Sequence, residues 1–316
     1  MIQYVSRRLI GLVPTALILL FLVVVMVDMI PGDIIDLMLE EKYAKNDASR
    51  LVLARDLGLD RSLMVRYVDY SFGVIRGDFG NSLWTKQPVS DLILGRAAVT
   101  AEIGVIAIVV GAALGVGVGV ISATKQDGPL DYLLRSVAVL GVSVPTFVIA
   151  TAVVVFPAIW WGKAPSLRYV SAGEDFIGHL KIVTLPAIVL GISLAASLMR
   201  LMRATMLEVL RQDYIRTAHA KGLSAFKVVT RHALKNAMIP VITLLGLQIA
   251  FLIGGSVVVE AVFAIPGIGR LLLGAIASRD YPVLQGIVVV IGLFVMVTNL
   301  LIDLSYAWLD PRIRYS

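Results

Sequence analysis

Cysteine is missing from the chain altogether, which removes thiolate metal sites, cysteine nucleophiles and disulfides together. The histidines are His179, His219 and His232, and no two of them stand at metal-ligand spacing with supporting carboxylates. Nor does any serine–histidine or histidine–glutamate pair have the spacing of a nucleophile with its base. The phosphate-cradling pattern G-x-x-x-x-G-K-[ST] occurs nowhere. Gly111, Gly115 and Gly119, around the glycine-rich G-V-G-V-G, fall four apart in an apolar stretch, on the one helical face that lets two helices approach closely. What remains are polar groups in or beside apolar runs: Asp28, Glu102, Gln248, Asn299 and Asp303. Such groups are costly in hydrocarbon, so each lines a solute path, bonds across helices or reaches interfacial water. Glu102, Gln248 and Asn299 are the candidates for a path. No catalytic, cofactor-binding or metal-binding residue is assigned.

These groups need positioning by elements built for lipid. Of 316 residues 58% are hydrophobic and 16% charged, with a mean hydropathy of +0.88, too apolar for a soluble enzyme of this size. Uncharged runs recur at Leu9–Val27, Ile103–Thr124, Ser136–Gly162, Ile182–Met199, Asn236–Val259 and Tyr281–Ile302. Each is near the length that crosses the hydrocarbon core as helix. Runs of this length in lipid are helical, because the backbone has no other partner there. The first is too long for a signal-peptide core and no small-x-small cleavage pattern follows it, so an uncleaved span is expected. The fold class is therefore an all-α membrane protein with six transmembrane helices.

With the amino terminus inside, 14 Lys and Arg fall in inner segments and 5 in short outer loops, the bias that sets orientation. Both termini are expected to be cytoplasmic. The net charge of +6 sits beside apolar runs, a pattern of membrane orientation and not of nucleic-acid binding. The division expected is a cytoplasmic amino terminus with the first span (1–30), an extracytoplasmic cap segment (31–96), a five-helix transmembrane core (97–309) and a cytoplasmic tail (310–316). In the cap, helix-like A-S-R-L-V-L-A-R-D-L-G-L closes at Gly58, and R-G-D-F-G-N-S (Arg76–Ser82) is turn-rich. It serves as a connector or as a docking surface for an external partner.

The long inner segment 204–236 is basic and amphipathic. Helix formers run from Thr205 to Lys221, Gly222 stands where a left-handed cap ends them, and Ser224 is placed to cap a second helix from Ala225. Leu207, Leu210, Ile215, Ala218, Leu223 and Phe226 cannot all face lipid, so some pack on the spans and some on a partner. Three readings are open: a stretch lying on anionic lipid, a DNA-type helix-turn-helix, disfavoured by its pinning to spans at both ends, and a coupling element inserted in another subunit.

The segment resembles the E-A-A-x-x-x-G loop of ATP-binding-cassette importer permeases, in the form found in dipeptide, oligopeptide and nickel permeases. Arg216, Thr217 and Ala218 stand at the E-A-A positions and Gly222 at the glycine. Asp213, Tyr214 and R-H-A-L-K-N-A (Arg231–Ala237) are similar to the peptide-type version, while Lys235 and Pro240 depart from the broad pattern. S-V-P-T-F (Ser143–Phe147), E-A-V-F-A-I-P-G-I-G-R (Glu260–Arg270), R-D-Y-P-V-L-Q-G (Arg279–Gly286) and D-P-R-I-R (Asp310–Arg314) extend the likeness in order along the chain. They resemble the first, B-type, permease of such systems.

The resemblance implies a type I importer permease fold and an ATPase-coupling loop carried by Asp213, Tyr214, Arg216, Thr217, Ala218, Lys221, Gly222, Leu223 and Phe226. It implies a second, distinct permease subunit, two ATP-binding-cassette ATPase subunits and an extracytoplasmic solute-binding protein as partners. ATP and Mg would be used by the ATPases and no cofactor bound by this chain, which is not itself catalytic. The expected setting is a bacterial or archaeal inner membrane, and the expected cargo a di- or oligopeptide. Nickel or another small solute is the alternative. A gradient-driven secondary transporter would instead show inverted repeats of broken helices, and no convincing internal symmetry of that kind is visible.

Overall fold

The apolar runs become helices for the reason given by lipid: a backbone that finds no external partner bonds to itself. The computed structural model describes residues 2–29, 60–163 and 168–309. In chain order the helices are α1 (Ile2–Met29), α2 (Leu63–Ile75), α3 (Val89–Thr124), α4 (Pro129–Ser143), α5 (Thr146–Trp161), α6 (Phe176–Leu210), α7 (Asp213–Ala220), the single turn α8 (Ala225–Lys227), α9 (Leu234–Val262), α10 (Ile268–Ser278) and α11 (Tyr281–Leu309). A π-helical stretch, Val228–Ala233, joins α8 to α9. Among the described residues, five stretches are long and apolar enough to cross a membrane, within α1, α3, α6, α8–α9 and α11, and the bent pair α4–α5, taken as one span, makes a sixth.

Two expected helices are divided. The Ser136–Gly162 run is not one straight span: α4 and α5 meet at 97°. Val144 is extended (φ −86, ψ 120), because the ring of Pro145 excludes the helical region for the residue before it. The helix expected from Thr205 to Lys221 breaks at Arg211–Gln212, where Gln212 turns extended (φ −72, ψ 149) and α7 starts afresh. The turn at Ala225 begins where expected, but the Ser224 side chain makes no capping bond. The stretch ending at Gly58, the terminal D-P-R-I-R and the side chains of Asp28 and Asp303 lie outside what is described.

The chain divides into two compact units, one of residues Met1–Arg96 with Leu271–Val297, the other of Ala97–Arg270 with Thr298–Ser316. In the first, Leu20, Val23 and Val289 form a small core against Tyr67, Tyr70, Val74 and Phe79, and the Tyr67 hydroxyl donates to Leu17 O at 3.3 Å. In the second, α6 is the most enclosed element, with 67% of its apolar window buried. The glycine stripe packs on it as its spacing implies. A Cβ at Gly111 would come within 2.6 Å of Leu194, at Gly115 within 2.6 Å of Leu198, and at Gly119 within 2.7 Å of Met202.

Candidate coupling and translocation site

The 204–236 segment folds as a short lever on a greasy foot. α7 closes in a Schellman turn: Gly222 N donates to His219 O at 2.9 Å and Leu223 N to Ala218 O at 3.3 Å, with Gly222 at φ +77. Ile215 and Ala218 are buried with Met202, Met206 and Val228, and Leu207, Leu210 and Leu223 pack around them. The other face is open. Asp213, Tyr214, Arg216, Thr217, Lys221 and Gly222 are exposed, and Phe226 is 76% exposed. Arg216 pairs with Asp213 at 3.3 Å, and Asn236 Nδ2 donates to the Tyr214 hydroxyl at 2.8 Å, tying the lever to the start of α9. Of the nine coupling residues expected from sequence, Ala218 and Leu223 thus turn inward and the other seven face outward. His219 is exposed among them.

Farther along the spans, a groove of about 200 Å³ is lined by Thr146, Leu190, Ser193, Leu194, Ser197, Gln248, Phe251, Leu252 and Gly255. None of these is charged. Thr146 opens α5 directly after the break, and its hydroxyl lies 3.4 Å from that of Ser193 on α6. Of the three path candidates, Gln248 lines this groove; Glu102 and Asn299 are not among its lining residues. Glu102 instead meets His179 Nε2 at 2.8 and 2.9 Å, while His179 Nδ1 lies 2.9 Å from Val170 O. The Glu102 contact ties the first turn of α6 to α3, and the Val170 contact holds the segment before α6 to the same ring. Tyr169 packs edge-on to the His179 ring, and burial, with the Glu102 carboxylate beside it, pushes its phenol up. Asn299 is exposed on α11.

Sequence reasoning passed over three buried carboxylates that staple the connections between helices. Glu260, fully buried, accepts from Thr100 Oγ1 at 2.8 Å and from Arg270 N at 3.2 Å, and the same Thr100 hydroxyl accepts from Ile268 N at 2.8 Å. Together they satisfy the first amides of α10, which have no partner within the helix. Gly267 is required beside them, since any Cβ there would overlap the Glu260 carboxylate. In the first unit Asp280 accepts from Ser82 Oγ at 2.5 Å and Leu83 N at 3.1 Å, and Trp84 Nε1 donates to Ser278 O at 2.8 Å. R-G-D-F-G-N-S and R-D-Y-P-V-L-Q-G therefore meet in space. The third is Asp131, which binds Arg203. Glu260 stands one residue beyond an uncharged run, and Asp131 and Asp280 sit in connections, so a search for charges inside runs could not find them.

Comparison with known proteins places this architecture. The profile described as binding-protein-dependent transport system inner membrane component matches residues 115–315, well over half of the chain. The chain belongs to that family. Among relatives of this permease, the dipeptide transport system permease protein DppB of Escherichia coli is 37% identical over 338 residues, covering 100% of this chain and 99% of its own. The glutathione transport system permease protein GsiC of Escherichia coli is 39% identical over 316 residues, covering 100% of both. Among solved structures, the inward-facing MetNI methionine ABC transporter aligns with a TM-score of 0.57 at 16% identity, over 69% of this chain and 96% of that one. An amino acid ABC transporter solved with histidines gives 0.54 at 13%, over 69% and 94%. The fold is thus that of the type I importer permeases. The protein is a multi-pass membrane permease of the ABC importers, homologous to permeases of the peptide type.

Proposed function

We propose that this permease subunit imports short peptides handed to it by an extracytoplasmic solute-binding protein, with two separate ATPase subunits below it and a distinct second permease beside it. Both termini and the 204–236 segment are cytoplasmic in this reading, in keeping with the 14 to 5 bias of basic residues. ATP and Mg belong to the ATPases, and this chain performs no catalysis.

The observation that carries the reading is the lever α7, buried on α6 through Ile215 and Ala218 and presenting Tyr214 and Arg216 outward, with Lys221 and Phe226 exposed just beyond its end. Two exposed aromatics, Tyr214 before the Gly222 turn and Phe226 after it, in a short segment anchored at both ends, favour a protein cleft over a face spread on lipid. The groove beside Gln248 is this chain's share of the path. Its hydroxyls and amide form hydrogen bonds with a peptide backbone, and the absence of charge in its lining leaves side-chain charge unselected. Selection of the cargo then rests with the binding protein.

The test is co-purification in mild detergent followed by ATPase assay with and without dipeptides and the binding protein. Co-purified ATPases with peptide-stimulated turnover support the proposal. A chain that purifies alone and drives uptake from an ion gradient makes it a secondary transporter. Turnover stimulated by a nickel complex but by no peptide overturns the cargo and keeps the machine.

A further inference from the structure

Asp131 is wholly buried, yet both of its oxygens are occupied. Oδ1 accepts from Ser122 Oγ at 2.5 Å and Arg203 Nε at 2.8 Å; Oδ2 accepts from Arg203 Nη2 at 2.6 Å and from Asp127 N at 3.0 Å. The donors come from three places: the last turn of α3, the tight turn before α4, in which Asp127 holds φ +60, and α6. Arg203 grips the carboxylate with two parallel N–H groups, a contact that fixes orientation as well as distance.

The location gives this pair a use. Met202 and Met206, fully buried, seat Ile215 and Ala218 of the lever. Arg203 follows Met202 by one position, about 100° around the same helix, and faces Asp131. The end of α6 is therefore held on one side by the lever and on the adjoining side by the ion pair. From Asp131, α4 runs to the break at Val144–Pro145, beyond which Thr146 lines the groove.

We propose that the Asp131–Arg203 clamp is the positioning contact through which motion of the lever reaches α4 and, past the break, the solute groove. This rests on the coupling role given to α7 above. A buried ion pair is weak evidence for stability, since apolar residues of similar volume often replace one without loss. Its distinctive property is register. Apolar faces slide on one another, whereas a bidentate guanidinium–carboxylate contact with two further donors allows one placement, so a pull on α6 is delivered to α4 without slip. The coupling runs through contiguous packed elements, α7 to α6 to α4 to Thr146.

The experiment uses the assembled transporter in lipid nanodiscs and proteoliposomes. The absence of cysteine allows nitroxides at Leu133→Cys on α4 and Glu208→Cys on α6, both exposed sites. In the parent, the distance between labels should be narrow and equal in nucleotide-free and vanadate-trapped complexes. Asp131→Asn should co-purify with its ATPases and hydrolyse ATP, while peptide transported per ATP falls by about tenfold or more and the distance distribution broadens. Arg203→Lys, which keeps the charge and loses the fork, should fall between. Equal transport per ATP in Arg203→Lys with an unbroadened distance overturns the clamp, and this holds even where Asp131→Asn fails to assemble. A parent complex that holds no ATPase and hydrolyses no ATP overturns the coupling reading itself. A parent that is coupled, with Arg203→Lys indistinguishable from it, overturns the clamp alone.

Discussion

At Gly222 the backbone holds φ +77 while nothing lies within 4 Å of where a Cβ would stand, so the demand for glycine is conformational and not steric. A residue with a Cβ costs about 1–2 kcal/mol in this region, asparagine less and a β-branched residue more. Uptake at equal membrane abundance should therefore fall in the order glycine, Gly222→Asn, Gly222→Ala, Gly222→Val. Normal uptake by Gly222→Val would remove the turn from the coupling path. Glu102 leads to a different expectation, because its partner is His179 and it does not line the groove. Glu102→Ala should lower the melting temperature of the complex, by the equivalent of about 1–3 kcal/mol for a buried partner left unpaired, with uptake per folded molecule unchanged. A selective rise in KM for peptide would return Glu102 to the path. These residues differ in how far sequence could read them. The Gly222 cap is written within five residues of chain, whereas the farthest donors to Glu260, Asp280 and Asp131 lie 160, 198 and 72 residues away, and no local pattern announces such a partner.

Helix–helix contact along α3 and α6 was legible because small residues four apart can only mean one close face. Its energetic content follows from Gly115, where a Cβ would stand 2.6 Å from Leu198. Gly115→Leu must separate the two helices or distort them, at a cost of about 1–3 kcal/mol or more. Gly117, with nothing within 4 Å, is the control. Gly117→Leu should leave thermal stability and ATPase co-purification intact while Gly115→Leu lowers both; equal behaviour would mean that the stripe does not bear the contact. The bend in the third apolar run was less legible. A run is defined by its lack of charge, and a broken helix is as apolar as a straight one. The signal was Val144 before Pro145, a local conformational rule that hydropathy does not contain. The break at Arg211–Gln212 has no such marker, since both residues are ordinary helix formers and only the packing of Ile215 and Ala218 under α6 sets where α7 begins.

For the whole molecule, the apolar runs and the basic bias give an expectation of which surfaces meet water and on which side, and the coupling role proposed for α7 gives one of which surface a partner covers. A chain without cysteine makes both statements measurable with single thiols. Gln87→Cys and Lys227→Cys are exposed positions, one in the stretch before α3 that is expected outside, the other beside Phe226 in the segment expected inside. An impermeant maleimide applied to intact spheroplasts should label Gln87→Cys and spare Lys227→Cys, with the reverse in inverted vesicles, because loop basic residues hold the inner segments on the cytoplasmic side. Labelling of Lys227→Cys from outside would invert the topology and with it the place of the ATPases. The same thiol then tests the partner. In inverted vesicles carrying the permeases alone it should react freely, and co-expression of the ATPases should slow it by about tenfold or more, since a residue flanking an anchoring aromatic loses water when its cleft closes. A rate unaffected by ATPases that demonstrably co-purify would place their contact elsewhere. The exposed face of the 204–236 segment would then be left to the lipid headgroups, which its lysines and arginines suit.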